Sequence, residues 1–175
     1  MRQLKIDLSE LEMAFDSGSD MISYYMDIEI GEILNVSDEE RGSLESIYES
    51  CYDQQSQTID WENAFEKEHI PDWQHEVLQN ADRVEAGFGG RFIVIPSEGS
   101  HEGYCDMEAF IATVRNRSLQ EHLERAISGR GAFWYFKDVL LDYPTERERW
   151  FHFKRERLHQ RILNWLEARG ITPLQ

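Results

Sequence analysis

Apolar positions first recur at helical spacing at Leu8, Leu11 and Phe15, which places them on one face of a helix. Asp7 with Glu10 three residues on predicts a capped start, Ile6 and Leu11 a hydrophobic staple across it, and Ser17-Gly18-Ser19 its end. Over residues 22–30 the period becomes two: Tyr24, Met26, Ile28 and Ile30 alternate with Tyr25, Asp27 and Glu29, the pattern of a strand. Gly31-Glu32 predicts a two-residue type II′ turn, with Ile33-Leu34-Asn35-Val36 as the return strand. Ser37 and Glu40 predict a second capping box, followed by an apolar face of Leu44, Ile47, Tyr48 and Cys51. Residues 53–60 are polar and predict a loop, and Trp61, Ala64 and Phe65 a short helical turn. Pro71 is suited to the first position of a helix that Trp73, Val77, Ala81 and Val84 continue. Gly87, Gly89 and Gly90 break the chain before a short buried strand, Arg91–Ile95, which Pro96 closes.

Beyond Pro96 every pattern is helical. Tyr104, Met107, Phe110, Ile111 and Val114 form one stripe, and Ser118 with Glu121 caps the next helix, which Gly129 ends. Residues 132–142 are apolar on nearly every side, which predicts a buried helix. Pro144 stops it, and Thr145 with Glu148 caps a last helix running to about Gly170, its buried face marked by Phe151, Leu158, Ile162 and Trp165. These elements predict an α+β fold. A small antiparallel sheet (a hairpin at about 22–36 plus a strand at about 91–95) packs with helices, and a helical lobe follows. No repeat or linker interrupts the chain, so a single domain over 1–175 is expected, with a mixed portion at 1–96 and a helical portion at 97–175.

The motif running from Gly129 to Lys137 (Gly-Arg-Gly-Ala-Phe-Trp-Tyr-Phe-Lys) sets four consecutive aromatics behind two glycines. With Ile6-Asp7-Leu8, Tyr24-Tyr25-Met26-Asp27 before Gly31-Glu32, Ile93-Val94-Ile95-Pro96, Met107-Glu108-Ala109-Phe110, Trp150-Phe151 and Trp165-Leu166-Glu167, it makes the chain resemble, end to end, a bacterial uncharacterised protein family, UPF 0158. The resemblance implies an α+β cytoplasmic protein and supplies no activity, cofactor or catalytic residue. The chain departs from the family pattern by extra residues between Asp53 and Glu68.

Composition narrows the classes. With 41% hydrophobic and 12% aromatic residues over 175 positions, the chain can bury one sizeable core and is not a disordered segment. No apolar run approaches the ~20 residues that span a bilayer, and the N-terminus does not read as a signal peptide. Cys51 and Cys105 make no metal-type pair and read as free thiols. A cytoplasmic protein without a membrane partner is expected. The net charge of −16 is uneven: residues 1–113 carry 26 acidic and 6 basic side chains, residues 114–175 carry 8 and 12. An acidic chain repels nucleic acid at long range, and the basic third is expected to be balanced by the acidic remainder.

The candidate chemistry is sparse. Arg130 precedes a helix start, where unpaired N–H groups and an arginine together suit a phosphate or carboxylate. Trp150, Lys154, Arg157 and Arg161 share one face of the last helix and make a candidate ligand-binding strip, with Trp150 as its stacking aromatic. The alternative is that these long cations cover the core edge and face acidic neighbours. The aromatics at 133–136 suit either a stacking platform or, the favoured reading, the core. His152, Glu156 and His159 read as solvated surface, and His101 with Cys105 lacks a third orienting group. No P-loop, dinucleotide fingerprint, serine elbow or metal motif occurs, so neither cofactor nor metal is expected. The leading expectation is a non-enzymatic protein-interaction or regulatory module that favours a basic partner. Nucleic-acid or phosphate binding through the basic helices is the alternative, and an enzyme with an unrecognised site a second one.

Overall fold

The computed structural model describes residues 1–174. In chain order the elements are β1 (Arg2–Lys5), α1 (Leu8–Asp16), β2 (Ile22–Asp27), β3 (Ile33–Ser37), α2 (Asp38–Cys51), β4 (Tyr52–Asp53), β5 (Thr58–Ile59), α3 (Trp61–Lys67), α4 (Asp72–Gly87) and β6 (Phe92–Ile95). They continue with α5 (Ser100–Ile111), α6 (Arg117–Ala126), α7 (Ala132–Leu141), α8 (Pro144–Glu167) and β7 (Ile171–Leu174). The architecture is α+β. The chain divides into two compact units: an N-terminal one of residues 2–14, 19–96, 173 and 174, and a C-terminal one of Met1, 15–18 and 97–172.

In the N-terminal unit the sheet runs β3-β2-β6, antiparallel throughout. Tyr25 lies between Leu34 and Val94, and Met26 between Ile33 and Ile93. Tyr25, Val36 and Phe92 pack with Leu44 of α2 and with Ala81 and Val84 of α4. Ile47, Ala64, Phe65 and Leu78 extend the core under α3. The capping box at Ser37 forms in both directions: the Glu40 N–H donates to Ser37 Oγ at 3.2 Å and the Ser37 N–H to Glu40 Oε2 at 2.7 Å. Asp7 Oδ1 accepts from the N–H groups of Ser9 and Glu10 at 2.9 and 3.1 Å, and Ile6 and Leu11 are both buried.

Several expectations change here. The strand expected over 22–30 ends at Asp27, because the fully buried Asp27 carboxylate turns the chain by accepting from the N–H groups of Glu29 and Ile30. The hairpin loop is therefore five residues, closed by the Asp27 N–H donating to the Glu32 carbonyl at 2.8 Å, with Gly31 at φ +82°. Within the polar stretch 53–60, Asp53 and Thr58 pair in the β4–β5 hairpin. Trp73 and Tyr48 stay exposed, and Leu78 takes the core position of α4 beside Ala81 and Val84.

In the C-terminal unit Met107, Phe110, Ile111, Leu119, Leu123, Phe136, Leu140 and Trp150 form one cluster across α5 to α8. Helix α6 is capped by Asn116, whose Oδ1 accepts from the Leu119 N–H at 3.1 Å, two residues before the expected Ser118 cap. Pro144 is the first residue of α8, so Thr145 and Glu148 lie within its first turns rather than capping it. Past Gly170 the chain forms β7, whose last residues lie in the N-terminal unit and which pairs with β1.

Candidate interaction surface

Helix α7 does not bury all its apolar side chains. Ala132, Phe136 and Leu140, spaced four apart, form its inner stripe. The Phe136 ring stands edge-on to Phe110 and Trp150, at 6.1 and 4.8 Å between centroids. Val139 packs partly against the same core, and the remaining apolar residues face water: Phe133 is 41% exposed, Tyr135 50%, Leu141 57% and Trp134 64%. A helix with neighbours along one stripe can bury only that stripe, so uniform apolarity here signals an uncovered face rather than a buried helix.

Two glycines help to seat these rings. Gly131 sits at φ +75°, and a Cβ there would come within 3.2 Å of the Tyr135 ring. On α5, a Cβ at Gly103 would come within 2.8 Å of Phe133. The Trp134 and Tyr135 rings pack edge to face, 5.0 Å apart at 81°. Lys137 and Asp138 follow on the next turn, both exposed and neither in an ion pair among the described residues.

The residues proposed as a ligand strip fall into three situations. Trp150 is 6% exposed and wedged among Phe110, Phe136 and Phe153, so it cannot stack on a ligand. Phe151 takes the outer position instead, under the Arg147 guanidinium. Lys154 Nζ pairs with Asp16 at 3.1 Å, near the surface. Arg157 and Arg161, one turn apart on α8, converge on Asp106 of α5, whose carboxylate is fully buried. Arg161 binds it with both Nη atoms at 2.9 and 2.7 Å, and its Nε donates to Glu98. Burial pushes the Asp106 carboxyl up, but hydrogen bonds from Arg161 and Arg157 outweigh this and hold it below the usual range. The same bond to Asp106 raises Arg161, against its own desolvation. Arg130 is exposed and takes no part in this cluster. Asp106 escaped the sequence reading; the available signal was the pair of arginines four apart on α8, which face one way and need a carboxylate between them.

Other groups are shifted as well. Glu10 lies in a cleft of about 710 Å³ with Lys5, Asp7 and Glu32, and is raised by burial, then by Asp7 and Glu32. Tyr48 lines a separate groove of about 410 Å³ with Arg41 and Glu85. Its hydroxyl is pushed up to about 12 by burial and by its hydrogen bond to Asp82. Cys105 Sγ lies 3.7 Å from His101 Nε2, and His152 pairs with Glu156 at 3.1 Å. Among the described residues no group of three or more His, Cys, Asp or Glu is placed to hold a metal ion.

These features define an α+β protein whose helical unit consumes many of its own charges in ion pairs and leaves an aromatic face in water. No described helix is long and apolar enough to cross a membrane. The chain belongs to the uncharacterised protein family UPF0158, whose model matches residues 74–175. It is 24% identical over 173 residues to the UPF0158 protein PA5073 of Pseudomonas aeruginosa, covering 99% of this chain and 88% of that one. No solved structure matches it.

Proposed function

We propose that the protein is a non-enzymatic protein-interaction module whose contact surface is the outer face of α7. The observation that carries this reading is the exposure of Phe133, Trp134, Tyr135 and Leu141 around the outer side of the helix. At these exposures the four side chains leave roughly 400 Å² of apolar-rich surface uncovered, within the size range of the largest, often functional, patches on monomeric proteins. Within the N-terminal unit the perturbed titrating groups support the same reading, since Glu10 and Tyr48 line separate grooves rather than one cleft. Charge suggests a second partner property. Residues 1–96 carry 22 acidic and 6 basic side chains, so this stretch favours a basic protein.

Phosphate or nucleic-acid binding through Arg157 and Arg161 is disfavoured by cost. It would draw those cations from a fully buried carboxylate, and orphaning a buried charge costs about 3–5 kcal/mol. The test places a photo-crosslinking benzoylphenylalanine at Tyr135, an aromatic-for-aromatic change on the exposed face. A discrete protein adduct in growing cells is expected. Irradiation that yields no adduct at 135 overturns the reading.

A further inference from the structure

The two edges of the β3-β2-β6 sheet are finished differently. On β6 the Phe92 carbonyl accepts from the Gly89 N–H at 3.1 Å and Pro96 closes the strand, which confines that edge to Val94. Strand β3 carries no such device: it reads Ile-Leu-Asn-Val-Ser, without charge, proline or bulge. Its register fixes which groups point outward. The Asp27 N–H bonds the Glu32 carbonyl and the Asp38 N–H the Met21 carbonyl. Leu34 and Val36 therefore make the ladder to β2, and Ile33 and Asn35 turn their N–H and C=O groups away from it. Ser37 turns the same way, but its N–H goes to Glu40. Among the described residues nothing bonds the main chain of Ile33 or Asn35. Asn35 is exposed, and Ile33 lines the cleft of about 710 Å³ whose wall also holds Ile6, Leu8 and Leu174. Ile33 and Asn35, about 7 Å apart along the strand, thus offer a donor and an acceptor each to a further strand.

We infer that β3 takes an extended, basic segment of a partner protein as a fourth strand, bonded through Ile33 and Asn35. In strand addition of this kind the main-chain bonds supply affinity and the flanking side chains select the sequence. Acids stand at both ends of the edge. Glu32 precedes it, with Asp7 and Glu10 in the same cleft, and Asp38 and Glu39 follow it, both exposed. Lys5 and Arg83, which pairs with Glu32 at 2.9 Å, offset only part of this charge. Glu10 is raised by burial, then by Asp7 and Glu32, so a cation arriving there relieves the crowding. The same charges argue against a second copy, which would bring two stretches of 22 acidic and 6 basic side chains edge to edge. The segment that fits carries lysine or arginine at both ends of an alternating, β-branched core. The inference stands apart from α7 and shares with the proposed function only the preference of residues 1–96 for a basic protein.

The experiment is fluorescence anisotropy of the labelled peptide Lys-Val-Thr-Val-Thr-Val-Lys against the full-length chain, at about 0.1 M salt and up to about 500 µM protein. Saturable binding with a Kd of about 10–200 µM is expected. Asn35→Pro removes the outward N–H and sets its ring in the place of the added strand. The bonds of Leu34 and Val36 to β2 stay intact, because an edge accepts proline where its N–H faces solvent. This variant melts close to wild type and weakens binding at least about tenfold, whereas Asn35→Thr, which keeps the main chain, stays within about threefold. A second arm leaves the protein untouched. N-methylation of two adjacent central residues blocks both edges of the peptide at unchanged charge, and also weakens binding at least about tenfold. The peptide Glu-Val-Thr-Val-Thr-Val-Glu binds at least about tenfold more weakly than the basic one. Absence of binding by the basic peptide, binding that survives its N-methylation, or equal binding of the acidic peptide overturns the inference. Self-association of the chain that Asn35→Pro abolishes gives the edge to a second copy and overturns the basic partner. None of these outcomes bears on the crosslink at Tyr135, so the two readings fail separately.

Discussion

Asp106→Asn tests the account of the C-terminal unit most sharply. The amide keeps the shape and the acceptor oxygen but removes the charge on which Arg157 and Arg161 converge. Breaking a buried ion pair by removing one partner costs about 3–5 kcal/mol. Here the lower end applies, because Arg157 and Arg161 keep side-chain exposures of 41% and 26%, and Arg161 retains Glu98. At about 2–4 °C per kcal/mol for a chain of this size, a loss of about 3 kcal/mol lowers Tm by about 6–12 °C. Circular dichroism melting at neutral pH reads the shift, and hydrogen exchange places it on α5 and α8. A change below about 2 °C refutes the claim that this cluster holds the two helices together. The pH dependence follows from the same pairing. The folded-state pKa of Asp106 is depressed, so its contribution is complete above the ordinary aspartate value of about 4 and fades as pH falls through the lower folded value. The gap between wild type and variant therefore narrows only below about pH 4. A gap that closes between about pH 5 and 7 contradicts the assignment.

Gly31→Ala forces a Cβ to 2.6 Å from the Lys5 carbonyl oxygen at φ +82°. The left-handed penalty and the backbone clash together cost about 3 kcal/mol in the N-terminal unit, whereas Gly89→Ala, at φ +76° with open space, loses only about 1 kcal/mol; urea unfolding of both variants checks the contrast. Burial and the bond to Asp82 push the Tyr48 hydroxyl up to about 12, so spectrophotometric titration shows one tyrosine ionising late, and Asp82→Asn lowers it toward the ordinary range. If the titration of wild type and Asp82→Asn coincide, the Tyr48–Asp82 bond does not exist in solution.

What the sequence revealed was local chemistry. The cap at Asp7 and the box at Ser37 each depend on residues within three positions, and both formed. The three-stranded sheet was legible from the strand-type residues over 22–27 and the short apolar run at 92–95, but the alternation read there does not govern burial, since Tyr25, Met26 and Asp27 are all buried. The errors came where the third dimension decides. Uniform apolarity in α7 contains no phase, so it cannot say which stripe meets the core. Trp150 and Phe151 are adjacent and both aromatic, and only the space between Phe110 and Phe136 selects the indole. Asp106 meets Arg157 and Arg161 across 51 and 55 residues of sequence, a separation no periodicity spans.

The division of charge has a consequence for how the protein responds to its medium. Sixteen uncompensated negative charges belong to residues 1–96, while residues 97–175 sum to zero. Mobile ions with a screening length of about 10 Å at 0.1 M relieve self-repulsion only where there is repulsion to relieve. Ionic strength thus acts as a selective stabiliser, strengthening the acidic stretch and leaving the neutral one nearly indifferent. In dilute buffer the sheet-bearing unit is the one that loosens first, and the order of unfolding within the chain becomes a property of the salt around it.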